Sequence, residues 1–413
     1  MKQFIIPGVL FLFFSSFNLT AQWVQCSNGI NEIGIFSITA KGSNLFAAGR
    51  SQDLTYVDGQ IYMSTNYGTS WTYLNQNGAK VASDNNYLYF GKSSDNSGGG
   101  IYRSSDNGST WNFIGPPPQQ CIRSLAVNGN YLFAGSTICS QTNTRATWVS
   151  TDFGANWSAK LGGHIAFSFA INGNNVFAGA TGVYKSTDSG VTWTLSLPAI
   201  IYIYSLAVNG NNVFAGELNN GVYKSTDNGA TWTQTSLNNQ YVRSLAISGN
   251  NIFAGTGQNG VYVSNDNGIN WIQRNEGLPN APIPALFILN NYIYAGTFGY
   301  KVYKRSLSEV IGINPISNEV ANQYSLSQNY PNPFNPTTKI RFSIPPLEGA
   351  GGRMVRLIIY DILGKEVTTL VNENLSPGTY EVEWNAADYP SGVFMYKLVS
   401  DDFTETKKMI LIK

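Results

Sequence analysis

Ser205-Leu-Ala-Val-Asn-Gly-Asn-Asn-Val-Phe-Ala-Gly216 is the stretch that decides the architecture. Nearly the same stretch ends at Gly135, Gly179 and Gly255, and more diverged copies end at Gly49, Gly91 and Gly296. After each copy comes a variable segment and then an aromatic-led run starting at Tyr62, Tyr102, Trp148, Tyr184, Tyr223, Tyr262 or Tyr303, so the period runs from 36 to 46 residues. Within one copy, residues 204–208, 212–215, 222–225 and 232–235 are short apolar or alternating runs separated by Gly, Asn and Asp. Four strands of about five residues with their turns fill about 40 residues, the size of one propeller blade. A parallel β-helix needs a shorter repeat, and a helical solenoid would show a 3.6-residue period and few glycines.

The ends of the array give an independent count. The last copy, within 284–305, has three strands and no fourth, while Trp23-Val-Gln-Cys-Ser-Asn-Gly-Ile30 matches the fourth strand and exit turn of the copy before it, Trp271-Ile-Gln-Arg-Asn-Glu-Gly-Leu278. The expected fold is therefore all-β: a seven-bladed β-propeller over 22–305, whose N-terminal strand completes the last blade and hides two sheet edges.

Composition agrees. The 413 residues exceed one ordinary domain, and only 12% are charged, with a net charge of +1. That balance excludes a disordered chain and a nucleic-acid binder driven by phosphate contacts. The 42 glycines and 24 tyrosines suit many short strands joined by tight turns. Residues 1–21 carry Lys2, an apolar run over 4–14 too short to span a bilayer, and a small residue, Ala21, before Gln22. They read as a signal peptide, and no later run is long enough for a transmembrane helix.

Between the third and fourth strands recurs Ser-x-Asp-x-Gly-x-x-Trp: Asp106 with Trp111, Asp152 with Trp157, Asp188 with Trp193, Asp227 with Trp232 and Asp266 with Trp271, and a first copy with Asn66 before Trp71. A short carboxylate can accept the turn's own N–H groups, Gly supplies positive φ and Trp covers the hairpin. The motif resembles the Asp-box, or bacterial neuraminidase repeat. In the resembled families these boxes lie opposite the active site, and a residue present in every blade cannot mark one site, so they are expected to be structural braces.

The other rim should carry any ligand. Its long loops lie at 50–60, 92–100 and 136–147, and its candidate contacts are Arg50, Arg123, Arg145, Tyr204 and Arg243, with Tyr202 and Tyr241 nearby. Sialidases resemble this scaffold, yet the resemblance implies an arginine triad, a Tyr–Glu nucleophile pair and an acid–base Asp, and the early Arg-Ile-Pro motif is absent. Asp53, Asp58, Glu217 and Glu276 are the available carboxylates, with nothing to set a pair at the roughly 5 to 9.5 Å that glycoside hydrolysis needs. No catalytic residue, cofactor or metal is therefore expected. The single histidine, His164, reads as a surface turn residue. Cys121 and Cys139 should share one rim and are placed to form a disulfide, leaving Cys26 buried and free.

Beyond Arg305 the repeat stops. Residues 306–323 read as a polar, irregular linker, and 324–413 carry strand-like runs at 339–344, 355–361, 365–371, 379–384, 393–399 and 404–412, punctuated by Gly364, Gly378 and Gly392. This spacing suits a small immunoglobulin-like β-sandwich. Asn329-Tyr-Pro331-Asn332-Pro333-Phe-Asn-Pro336, Ser376-Pro-Gly-Thr-Tyr380, Ser391-Gly-Val-Phe-Met-Tyr-Lys397 and Lys407-Lys408-Met-Ile-Leu-Ile-Lys413 resemble the C-terminal sorting domain, type A, of type IX secretion substrates. A Gly-rich insertion over 345–353 departs from that pattern. The resemblance implies periplasmic transit, recognition by the type IX machinery, and release or display at the outer-membrane surface. The expected function is an extracellular binding or adhesion module engaging a glycan or protein at the propeller rim. A sialidase-like glycosidase is the alternative, and an assembly factor like the propellers that help build photosystem II fits poorly with export.

Overall fold

The computed structural model describes residues 22–32, 34–50, 58–92, 99–116, 120–138, 141–198, 202–299, 301–317, 322–346, 353–375, 377–387, 389–401 and 403–413. The signal-peptide expectation for 1–21, Asp53 and the 345–353 insertion fall wholly or mostly outside them. Among the described residues the chain is all-β apart from a 3-10 turn at Leu161–Gly163 and a helical turn at Leu307–Val310.

Five units are four-stranded antiparallel meanders, beginning at Lys80–Ser83, Gln120–Asn128, Ser168–Asn172, Ile203–Asn209 and Val242–Ser248. The first unit (Gly34–Lys41, Asn44–Arg50, Asp58–Ser64, Thr72–Gly78) and the last (Ala285–Leu289, Tyr292–Thr297, Lys301–Ser306) meet through a parallel bridge, Gly34 to Lys301. Along the chain, each unit's first strand contacts the first strand of the next, and Gly34–Lys41 contacts Ala285–Leu289.

The recurring residues are those that tie one unit to its neighbour. The second-strand aromatics Phe46, Tyr89, Phe133, Phe177, Phe214, Phe253 and Tyr294 are all 0–1% exposed, each contributing about 1.5 to 3 kcal/mol of burial. The repeated serine of the first strand donates across the gap, as in Ser124 Oγ to the Ala166 carbonyl (2.6 Å) and Ser244 Oγ to that of Ile283 (2.8 Å). The repeated asparagine does the same from the hairpin turn: Asn172 Nδ2 reaches the Gly210 carbonyl and Asn209 Nδ2 that of Gly249, both at 2.8 Å.

The N-terminal residues follow the pattern of a unit's fourth strand. Val24–Gln25 pairs antiparallel with Lys304 and Tyr303. Trp23 N–H donates to the Glu276 carbonyl and its indole to that of Arg274; one unit on, Trp71 N–H donates to the Asn28 carbonyl and its indole to that of Cys26. The positions correspond one to one. Gly277 and Gly29 (φ +85° and +91°) mark the two exit turns, where a Cβ would lie 2.4 Å from the Trp23 carbonyl oxygen and 2.2 Å from that of Trp71.

Two expectations change. The third unit's loop over 136–147 is an extension of its hairpin, with Ser136 opposite Ala146 and Thr137 opposite Arg145. Its Thr and Ala residues carry the ladder outward. The linker over 306–323 is also ordered in part: Leu307 and Val310 are 2% and 1% exposed, and Ile313–Ser317 pairs with Gly378–Asn385. Its polar composition concealed both features, because the strand's partner lies more than sixty residues downstream.

The tail consists of two four-stranded antiparallel sheets. One orders Ile313–Ser317, Gly378–Asn385, Thr337–Ile344 and Ser325–Leu326; the other orders Glu366–Leu375, Arg353–Asp361, Gly392–Ser400 and Phe403–Leu411. Alternation buries Ile340, Phe342 and Ile344 against Leu357, Ile359, Tyr396 and Leu398. That core continues through Leu307, Val310 and Ile311 to Trp23, Phe253, Ile283 and Ile293 of the repeat array. Gly364 takes φ +80° in its turn, whereas Gly378 and Gly392 begin strands. Asn332 Oδ1 accepts the Ile410 N–H at 2.9 Å, tying the proline segment to the last strand. Pro331 and Pro333 flank that residue in cis peptide linkages, and the Lys408 carbonyl accepts from Gln328.

Candidate functional site

The Ser-x-Asp-x-Gly-x-x-Trp turns are the most repeated polar geometry of the chain. In Ser225 to Trp232, Asp227 Oδ1 accepts from Ser225 Oγ (2.7 Å), Ala230 N (3.0 Å) and Thr231 N (2.8 Å), and Oδ2 accepts from Thr231 Oγ1 (2.6 Å). Asp106, Asp152, Asp188 and Asp266 are held in the same way by Ser104, Ser150, Ser186 and Ser264. Hydrogen bonds to the ionised form, led by the residue four positions on, hold Asp106, Asp152 and Asp227 below the usual carboxylate range and Asp188 at about 2. The residue before the glycine is also left-handed, at φ +53° to +60° in Tyr67, Asn107, Phe153, Ser189, Asn228 and Asn267. Asparagine at three of these was the available signal. Indoles close the turns: Trp111 and Trp193 donate to Gly108 and Gly190, Trp157 to Ile114 and Gly154, and Trp232 to Ser196 Oγ of the preceding unit. Trp271, partly buried, instead packs against the cluster of Phe214, Val222 and Val242. These carboxylates are committed to their own backbone. An open groove of about 610 Å³ beside Asp152, lined by Arg103, Phe113 and Trp157, adds no other acid.

The opposite rim is organised by bulges. Register shifts bracket Phe36, Arg123, Tyr204 and Arg243 at equivalent places near the start of innermost strands. A bulge re-aims the side chain it carries. The sequence placed Arg123 and Arg243 at equivalent positions without revealing this bulge, since one extra residue leaves the apolar pattern on both sides intact.

Two of these positions, Tyr204 and Arg243, join an aromatic wall. Phe167 packs on Tyr204 and Tyr202 with ring centroids 5.0 and 5.1 Å apart, and Tyr204 packs on Tyr241 at 5.4 Å. Cations stand at both ends: the Arg243 guanidinium lies 4.3 Å over the Tyr241 ring and that of exposed Arg145 lies 5.9 Å from the Tyr202 ring. Arg145 Nη1 also reaches the Tyr202 hydroxyl at 3.5 Å. Burial chiefly, with neighbouring Tyr241, pushes the Tyr204 hydroxyl up to about 12, so Tyr204 is a neutral donor and packing face rather than an acid–base group. Arg145, Tyr204 and Arg243 thus share one surface. Arg123 occupies the bulge of the third unit, the unit that also carries Arg145, and Arg50 ends a strand opposite Gly34 and Asp58 with its side chain outside the described residues.

The carboxylates do not gather here. Glu217 is 2% exposed and accepts from Asn220 Nδ2 (3.0 Å). Asp58 is buried in the first unit, four units away in sequence. Glu276 pairs with buried Arg305 at 2.7 Å, and although burial alone would raise its pKa, that hydrogen bond keeps it below the ordinary value. His164 is half-buried rather than a surface residue: Nδ1 meets Thr181 Oγ1 at 2.9 Å and its ring faces Tyr184. Among the described residues no cluster of three or more His, Cys, Asp or Glu could hold a metal, and no helix is long and apolar enough to cross a membrane. Cys121 is disulfide-bonded and Cys26 is a free, buried thiol. Cys139, the remaining cysteine, lies outside the described residues.

Residues 328–413 match the family model of the secretion system C-terminal sorting domain, and residues 167–299 match that of the DUF6242 beta propeller domain. No curated protein matches the sequence. Among solved structures, YCF48 from Cyanidioschyzon merolae is similar at 14% identity and TM-score 0.52, covering 70% of this chain and 99% of its own. A catalytically inactive virginiamycin B lyase from Staphylococcus aureus with quinupristin is similar at 16% identity and TM-score 0.53, covering 69% and 98%. At these identities the likeness speaks for the fold alone. The chain therefore carries a β-propeller domain followed by a secretion-system C-terminal sorting domain, which implies export by type IX secretion to the cell surface or beyond.

Proposed function

We propose that the protein is an extracellular binding or adhesion propeller. Its repeats are read as seven Asp-box blades, the last completed by the strand containing Trp23, and its tail as an immunoglobulin-like sorting domain of type A that follows a cleaved signal peptide. Support for the ring comes from the matched contacts of Trp23 and Trp71, and from the contact between the innermost strands of the first and last units.

The observation that carries the binding reading is the wall of Phe167, Tyr202, Tyr204 and Tyr241 between Arg145 and Arg243. Tyrosine faces stack on sugar or peptide, and guanidinium groups read carboxylate or carbonyl oxygens. Glu217 is buried and bonded to Asn220, and buried Asp58 lies in a different unit, which favours binding over glycosidic chemistry. Purified protein tested on a glycan array and on fluorogenic glycosides should bind without turnover, and Tyr204→Ala with Arg243→Ala should abolish binding. Turnover that disappears with Asp58→Asn or Glu217→Gln would replace this reading with a glycosidase.

A further inference from the structure

The tail displays a group of large apolar side chains at one end. Leu363 is 89% exposed, Tyr330 80%, Ile362 73% and Ile412 52%. Strand register brings them together. Asp361, where the hairpin turn begins, lies opposite Phe394, which lies opposite Met409; Gly392 lies opposite Leu411. Phe334 bridges Leu411 and accepts the Ile412 N–H at 3.0 Å, while Tyr330 bridges Lys339. One contact of this sheet with the propeller, Gly249 against Asn372, falls opposite Arg356, toward the other end of the sheet.

The hairpin tip is rigid. Asp361 Oδ1 accepts from both Leu363 N and Lys365 N at 2.9 Å, the Asp361 carbonyl accepts from Gly364 N at 3.0 Å, and Gly364 takes φ +80°. Turn tips ordinarily carry polar residues, and folding gains nothing from two aliphatic chains held in water. A braced turn loses little further entropy on docking, which is what a recognition knob requires.

We propose that this end of the tail, with Ile362 and Leu363 as anchors, is the surface by which the type IX secretion machinery reads the folded domain, the two side chains entering an apolar pocket on a machinery protein. The inference rests on reading residues 328–413 as an export signal. All four exposed side chains lie within that matched segment, and neither the propeller nor the rest of the sandwich covers them.

The test uses the full chain in its own host, comparing medium and surface fractions with periplasm. Ile362→Ser with Leu363→Ser is expected to lower the exported fraction about tenfold or more, with the protein retained in the periplasm. Met354→Ser, at an exposed apolar site near the opposite end (44%), should export normally. The purified double variant should keep the wild-type melting temperature. Leu363→Ser alone, which alters only a solvent-facing side chain, should show the same direction of effect and guards against misfolding. Normal export of the double variant while deletion of 328–413 is retained would overturn the proposal and leave the export reading standing. Normal export of the deletion would sink that reading itself. Equal retention of Met354→Ser, or a wild-type dimer that the double variant converts to monomer, would also overturn the proposal, the latter by assigning the surface to a second copy.

Discussion

Trp23→Ala tests how the N-terminal segment is held. The indole is 2% exposed, its Nε1–H donates to the Arg274 carbonyl at 2.7 Å, and its backbone N–H donates to Glu276. Truncation of a buried large aromatic costs about 3 to 5 kcal/mol, and the Arg274 carbonyl loses its donor as well. For a domain of this size each kcal/mol moves the melting temperature by about 2 to 4 °C, so the propeller transition should fall by roughly 6 to 20 °C. Val24→Ala is the matched control: its side chain is 55% exposed on the same strand, and it should cost no more than about 0.5 kcal/mol. Calorimetry of the chain from residue 22 onward reads both. If Trp23→Ala melts with the wild type, the N-terminal strand is not integral to the last unit, and the seven-bladed reading fails with it.

Acid should weaken the turn braces in a defined window. Asp188 is held down to about 2 and Asp106 and Asp227 are also lowered, so their contribution is complete above the unfolded value near 4 and is lost as pH falls through the folded values. Changing all three to Asn should flatten the fall of melting temperature between pH 5 and 2; superimposable profiles would refute the brace. For the thiols, a non-reducing peptide map should link Cys121 to Cys139. Burial pushes the Cys26 thiol up to about 12, so it should resist alkylation at pH 8 until the protein is unfolded. Rapid native labelling of Cys26 would contradict its place behind Trp71.

Much of the architecture was legible because it repeats. One unit cannot bury its own aromatic face, so the same Phe, Ser, Asn and Gly must recur wherever a neighbour packs against it, and a period near 40 residues follows. The tail strands were legible through alternation, and the correspondence of Trp23 with Trp271 pointed to the contacts found at Arg274 and Glu276. The rim was less legible. Tyr202, Tyr204, Tyr241, Arg145 and Arg243 stood out as residue types, but Tyr204 and Arg243 are carried by bulges that add one residue to a strand without disturbing its apolar pattern.

Local chemistry written along the chain thus determined the repeat, the turns and the export segment, since each depends on residues close in sequence or on spacing alone. Only the tertiary structure decided that Glu217 and Asp58 are buried, that Ile313–Ser317 joins a sheet through Gly378–Asn385, and that Ile362, Leu363, Tyr330 and Ile412 share one end of the tail. Those facts rest on register and packing between residues far apart in the chain, where a one-residue shift sends every side chain to the other face.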